Sequence, residues 1–315
     1  MLLGRHLSGA SDTLLASMFF LMSEAAIENR KAWLPATLAL VVLLMLSAAC
    51  SEPDNLLDGT MRLPSELSEL SGMVALDEHT LACVQDELGA VFIVDLRGKQ
   101  PIRALSFGKP GDYEGIAFAG DALWVLRSDG ALQELALDAG RLVSRHTYKL
   151  PFAGEFEGLC VDAAGEHLLV LPKGPVVGDR REKKRRRILA FHLLLRTTLK
   201  QPVMTLKVDD IEDQIEDLGL PGPRRTTSKG NRKVDLELRG SELLALPGGD
   251  LLMLSPKDRL LLRFNGDGDV VATHELDMNL LPQPEAMALL PDGRLLIGSE
   301  GRRRAARIAV VAIPQ

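Results

Sequence analysis

The chain has 315 residues, 46% of them apolar, 25% charged and 4% aromatic, with a formal net charge of −6. That length suits one large all-β domain or two smaller domains, and the apolar share is ordinary for a globular protein with a sizeable core. The mild acidity argues against a nucleic-acid partner or a general anionic-surface binder. Three cysteines, Cys50, Cys83 and Cys160, do not make a disulfide framework.

Arg30 and Lys31 precede an apolar stretch, LPATLALVVLLML, that ends in Ser47-Ala48-Ala49-Cys50. A positive region, a short apolar run and small residues before a cleavage point define a secretory signal. Small residues directly before a cysteine resemble a bacterial lipobox, whose cysteine becomes the lipidated first residue. This predicts a lipoprotein-type signal over 1–50 and a membrane anchor through lipid on Cys50. Ser51 after that cysteine suits sorting to the outer membrane by the same resemblance. The alternative is an uncleaved anchor, but Leu34 to Ala49 is 16 residues, short of the roughly 20 a spanning helix needs.

Beyond the signal, five segments open on one small motif: Ser71-Gly72-Met73, Glu114-Gly115-Ile116, Glu157-Gly158-Leu159, Ser241-Glu242-Leu243 and Glu285-Ala286-Met287. Each continues through apolar residues, a turn rich in Asp and Gly, and a second apolar run such as TLACV, ALWVL or DLLML. That is tight-hairpin chemistry, so each unit begins with two paired strands. A third strand follows in every unit, and a fourth precedes the next motif. Four short antiparallel strands per repeat describe a propeller blade.

The motif recurs after 43, 43, 84 and 44 residues. The long interval leaves room for a sixth blade. However, Asp209–Gly219 has helical spacing and strong acidity, and PGPRRTTSKGNRK after it shows no strand pattern. One blade carrying an insertion over 176–234 fits better, giving an all-β, five-bladed propeller over 51–315. The last repeat supplies three strands and LLDGTMRLP supplies the fourth, so pairing of the first strand with the last blade closes the ring. Cys83 and Cys160 lie in apolar runs and are expected to pack as free thiols, a disulfide between them being the alternative.

The ordered set ELSGMVAL, two EG motifs, LLMLS and PEAMAL…LPDGRLLIGSE resembles the SdiA-regulated, or YjiK-like, family of exported bacterial propellers over residues 60–315. The chain departs from that family in its charged insertion and in Ala286 where glycine is usual. The resemblance implies a propeller fold and a place in the envelope, with no established activity. More distant relatives are labelled phytase-like esterases.

In a propeller the first strand of each blade lines the channel, so Glu114, Glu157 and Glu285 are expected to converge at one end with Ser71 and Ser241. Second strands end on that same face, bringing Glu87, Arg127, Lys173, Ser255 and Glu300 nearby. Facing carboxylates must lose charge or share a cation, and hard oxygen ligands in a flexible ring suit Ca²⁺ or Mg²⁺. Glu114, Glu157 and Glu285 are the candidate metal ligands, and the others line a ligand site. The structural alternative is that each glutamate accepts backbone N–H bonds from its neighbouring blade. The function these residues predict is a binding or scaffold propeller of the envelope, its ligand unspecified. The alternative is a metal-dependent phosphoesterase in which Lys173 and Arg127 stabilise a developing anion.

Two further features have plain readings. Asn265-Gly266-Asp267-Gly268-Asp269 resembles the start of a calcium loop but lacks a glutamate at the twelfth position, so a hairpin turn is expected. The basic run from Arg180 to Arg187 reads as a solvated loop, with an anionic partner as the lesser reading. No GxSxG, HExxH, P-loop or dinucleotide fingerprint occurs, and the histidines are scattered.

Overall fold

A computed structural model describes residues 59–98, 102–174, 184–301 and 305–315. The signal segment, Cys50 and residues 180–183 of the basic run lie outside the described residues.

Five antiparallel sheets form the five-bladed propeller. In blade one the strands are Leu70–Ala75, Thr80–Gln85, Ala90–Asp95 and Arg103–Ser106; in blade two, Tyr113–Ala119, Ala122–Arg127, Ala131–Asp138 and Arg141–Lys149. Blade three uses Phe156–Val161, His167–Pro172 and Arg185–His192, and its fourth strand is broken into Thr197–Thr198 and Met204–Lys207. Blade four runs Glu242–Ala245, Leu251–Ser255, Leu260–Phe264 and Val270–Glu275. Blade five takes Pro284–Leu289, Leu295–Ser299 and Arg307–Val311 from the C-terminal end and Thr60–Arg62 from the start of the described chain. Thr60 pairs with Ala309 and Arg62 with Arg307, so the expected closure of the ring is present.

The hairpin between first and second strands repeats one device in three blades. Gly165, Gly249 and Gly293 donate back to the carbonyls of Asp162, Leu246 and Leu290 at 3.0, 2.9 and 2.9 Å, each glycine at positive φ. Only glycine takes that conformation without strain from a Cβ. The Asn265 loop is the hairpin turn its sequence suggested: the Asn265 carboxamide oxygen accepts the N–H groups of Asp267 and Asp269 at 3.0 and 2.9 Å.

Apolar burial is divided among five clusters, one for each pair of adjacent blades. The largest residues of the cluster between blades two and three, Trp124, Phe156 and Phe191, are fully buried. Each blade therefore gives one face to each neighbour, and the pleat's two-residue period decides which side chain goes where.

The insertion is shorter than 176–234. Residues 185–207 belong to blade three as its outer strands, and the departure from the blade begins at Val208. There helix α1, Val208–Asp217, buries Val208, Ile211 and Ile215 against the core between blades three and four. The stretch expected to lack strands instead holds a small hairpin, Arg224–Thr226 with Arg232–Val234. Its turn closes where Gly230, at φ 82°, donates to the Thr227 carbonyl. Cys83 and Cys160 are free thiols, as expected. Among the described residues no helix is long and apolar enough to cross a membrane.

Candidate functional site

The repeated motif sits on a structural irregularity. In blades one, two, three and five the pairing of first and second strands slips by one residue, so that Ser71, Glu114, Glu157 and Glu285 are each the extra residue of a β-bulge. A bulge re-aims the side chain it carries and is enriched beside functional sites. The next motif position explains its glycines. A Cβ on Gly72 would lie 2.9 Å from Gly115 Cα, one on Gly115 2.9 Å from Leu159 Cβ, and one on Gly158 2.9 Å from Leu243 N. In blades one to three the neighbouring inner strands approach too closely there for a side chain.

The bulged residues open into a pocket of about 290 Å³ at the motif end of the channel. Two further rings complete it. Two residues before the bulge stand Asp112, Glu155 and Gln283, and at the ends of second strands stand Asp86, Ser128, Lys173 and Glu300. These rings are stitched together, since the backbone N–H groups of Ser128, Lys173 and Glu300 each donate to the carbonyls of Asp112, Glu155 and Gln283 at 2.9 Å. Among the described residues seven carboxyl residues thus line the pocket with one lysine, which forms an ion pair with Glu157.

Burial and mutual repulsion shift these acids strongly. Glu114 is pushed up to about 9 by burial and by the charges of Glu157 and Asp112. Glu285 rises to about 7 through burial and Glu157, while hydrogen bonds from Ser241 and Gln283 oppose the rise. Asp86 rises to about 6 through burial and the nearby Glu69 and Glu87. Glu157 is also raised by burial, against the pull of Lys173. Near neutral pH the mouth holds protons on carboxyls that a bound cation would displace.

The expected convergence of Glu114, Glu157 and Glu285 is present, with Ser71, Lys173 and Glu300 beside them. Four other expected residues lie outside the pocket. Ser241 is buried and donates to the Pro284 carbonyl at 3.2 Å, as Ser71 donates to Tyr113 at 2.6 Å, so the two serines of the ring staple adjacent blades. Ser255 is fully buried, giving its hydroxyl to Asp258 at 2.6 Å. Arg127 turns to Asp129 at 2.6 Å, leaving Ser128 at the mouth. Glu87 is displaced because the Gln85 side chain accepts the N–H groups of Glu87 and Leu88 and turns the loop, so Asp86 takes the pocket position.

Backbone acceptance between blades falls to an acid the sequence did not single out. Glu242 fills the motif's glycine position in blade four; it is 1% exposed, and its Oε1 accepts the N–H of Leu159 and of Leu243, both at 2.9 Å. Its Oε2 is buried without a hydrogen-bond partner. Burial and the charges of Glu157 and Glu285 hold its carboxyl well above the usual range. The missed acids Asp112 and Glu155 were marked by spacing, since both stand two residues before a motif glutamate. Among the described residues no three acidic, histidine or cysteine side chains are placed to hold a metal ion.

No family model matches the chain, and no curated protein matches it. Among solved structures it is similar to the glutaminyl cyclase of Myxococcus xanthus, at 15% identity and a TM-score of 0.51, covering 81% of this chain and 96% of that one. The likeness is one of fold. A streptogramin B lyase (11% identity, TM-score 0.45, covering 80% and 97%) and the virginiamycin B lyase of Staphylococcus aureus (14%, 0.42, 80% and 68%) are also similar.

Proposed function

We propose that this is a binding propeller of the bacterial cell envelope, held at the outer membrane through lipid on Cys50, whose acidic channel mouth takes a cationic ligand. The observation that carries the reading is the acidity of the mouth: among the described residues, seven carboxyl residues surround about 290 Å³ together with one lysine, which is paired to Glu157. The pocket is larger than a bare ion needs, and the glutamates do not form a ready-made metal cage. An organic ammonium ligand therefore fits better than Ca²⁺ held by Glu114, Glu157 and Glu285. The family resemblance to exported YjiK-like propellers supports the envelope placement.

A phosphoesterase is less favoured, because the cations it needs at a developing anion, Lys173 and Arg127, are committed to Glu157 and Asp129. The cyclase and lyases share only the fold and lend this chain no substrate.

Calorimetric titration with spermidine and, separately, with CaCl₂ tests the site. Saturable spermidine binding that weakens at least tenfold in Glu114→Gln/Glu285→Gln supports it. Calcium binding alone with the same dependence restores the metal reading, and no binding of either removes the site. Labelled palmitate incorporation that is lost in Cys50→Ala tests the anchor.

A further inference from the structure

The end of the propeller opposite the acidic mouth exposes apolar side chains. Nine large apolar residues are exposed among the described residues. Six of them, Phe118, Leu137, Val143, Leu194, Leu195 and Val271, stand within three residues of a turn at that end. Leu194 is 84%, Leu137 66% and Leu195 64% exposed, so these three give most of their surface to the surroundings. On the channel axis the same face holds a pocket of about 250 Å³ to which every first strand contributes, through Ala75, Phe118, Val161, Ala245 and Leu289.

The Leu194-Leu195 pair is held out by its turn. The third strand of blade three ends at His192, and the turn closes where Arg196, at φ 54°, donates its N–H to the His192 carbonyl at 2.9 Å. Before the pair, Leu193 N–H donates to the Glu166 carbonyl of the adjacent hairpin at 2.9 Å. After it, the Arg196 side chain is fixed on Trp124 and Glu134 of blade two. Turn tips ordinarily carry Gly, Asn, Asp or Ser. Two leucines at this tip add nothing to the propeller's own core, because neither is buried in it.

The path of the chain connects this face to Cys50. Thr60 lies across from Ala309 and Arg62 across from Arg307, while Arg307 pairs with Ser299 and Val311 with Leu295. Ser299 is at the motif end of its strand and Leu295 at the turn end, so Thr60–Arg62 runs from the turn face toward the motif face. Residues 51–58 separate Cys50 from Gly59, and that length of chain spans at most about 30 Å. Lipid on Cys50 therefore tethers the propeller on the side of its apolar turns. A short tether keeps the local concentration of bilayer surface high, so shallow apolar tips suffice for contact.

We propose that the turn face, led by Leu194, Leu195 and Leu137, rests on a lipid bilayer, with the acidic mouth directed away from it. The tether rests on the reading of Cys50 as the lipidated residue, and the contact rests on the exposed side chains. Apolar tips on separate blades enter an acyl layer one by one, whereas a protein partner needs a pocket matched to each. Exposed Asp138 and Glu166 share these turns with Arg141, which suits a zwitterionic lipid surface better than an anionic one.

Tryptophan quenching tests this in the full-length protein, reconstituted in phosphatidylcholine vesicles with and without brominated acyl chains. Leu194→Trp is compared with Leu88→Trp, which lies on the motif face just beyond the second strand of blade one. With the emission of the native tryptophans subtracted, the signal added at Leu194→Trp should fall at least twofold with brominated lipid, and that at Leu88→Trp should not change. Leu195→Trp replaces Leu194→Trp if the latter lowers the melting temperature. Equal quenching on both faces, or none on the turn face, overturns the proposal. Turn-face emission that is shielded from acrylamide but not quenched by lipid overturns it in favour of a second copy of the chain on this face. Palmitate labelling of the same preparation separates the two readings. Label without turn-face quenching removes the docking and keeps the anchor, whereas turn-face quenching without label keeps the docking and removes the anchor.

Discussion

Glu242 of blade four accepts the backbone N–H of Leu159 in blade three at 2.9 Å, joining two inner strands through a carboxyl that is 1% exposed. Removing the side chain strands two donors, the N–H groups of Leu159 and Leu243. Glu242→Ala should therefore cost about 2–4 kcal/mol in urea unfolding, since each buried donor left unsatisfied costs about 1–3 kcal/mol. Glu242→Gln keeps the accepting oxygen and cannot ionise. Burial raises the native carboxyl, so the wild type loses stability as pH climbs above the ordinary glutamate range and the glutamine variant does not. The variant should match or trail the wild type at pH 4 and exceed it at pH 8. Parallel curves across that range would show that Glu242 does not titrate with folding.

Gly115 has a different reason for being small. Its substitution by alanine puts a methyl 2.9 Å from Leu159 Cβ and 3.1 Å from Leu159 N, atoms on a strand that is itself held by blade four. Overpacking of this kind costs about 1–3 kcal/mol. Gly248, in a hairpin tip with nothing within 4 Å, is the matched control, and its alanine variant should stay within about 0.5 kcal/mol of wild type. Equal melting temperatures for the two variants would remove close blade approach as the reason for the motif's glycine.

The fold was legible because the repeat is strict: the motif at Ser71, Glu114 and Glu157, the glycine turns and the strand at Thr60 each carried their own signal. The site was legible only in part. Period and polarity place Glu114, Glu157 and Glu285 on one ring, but they do not say that Ser71 and Ser241 spend their hydroxyls on neighbouring carbonyls. Nor do they show that Gln85 turns its loop and exchanges Glu87 for Asp86. Those outcomes depend on single hydrogen bonds between segments far apart in sequence. Asp112 and Glu155 were missed although a two-residue period marked them, and Glu242 was missed because it occupies a position where the other copies have glycine or alanine. The hairpin at Arg224–Val234 escaped because its strands are polar and short, so neither periodicity nor apolar content announced them.

Arg196 lies 5.0 Å above the Trp124 ring and donates to Glu134 Oε1 at 2.9 Å, carrying a turn of blade three onto blade two. Glu134 is 2% exposed, and its other nearby cation, Arg145, stands at 3.9 Å. Arg196 itself is 41% exposed, so solvent discounts the pair. Arg196→Ala should cost about 1–2 kcal/mol, mostly from the buried carboxylate it leaves behind. Adding Glu134→Gln should recover most of that loss. A double variant as unstable as the sum of the single ones would mean that the two residues act separately.

The channel mouth makes a pH prediction whose sign is fixed by its carboxyls. Asp86, Glu285 and Glu114 are raised to about 6, 7 and 9, from 3.8, 4.5 and 4.5. Between the ordinary values and the raised ones the folded chain binds more protons than the unfolded chain, so stability must fall as pH rises through that window. The total is on the order of 2–4 kcal/mol once partial exposure is allowed for, or about 5–10 °C in melting temperature between pH 5 and 9. Glu285→Gln should flatten the curve between about pH 4.5 and 7, and Glu114→Gln should flatten it from about pH 4.5 up to 9, the part above pH 7 being due to Glu114. A cation in the pocket favours the charged carboxyls, so spermidine should raise the melting temperature more at pH 8.5 than at pH 5.5, and its binding should release protons near neutrality. Calorimetry in two buffers of different ionisation enthalpy measures that release directly. Binding with no proton release would place the ligand away from Glu285 and Glu114, and a flat stability curve would mean that these acids are not held in the raised state the geometry requires.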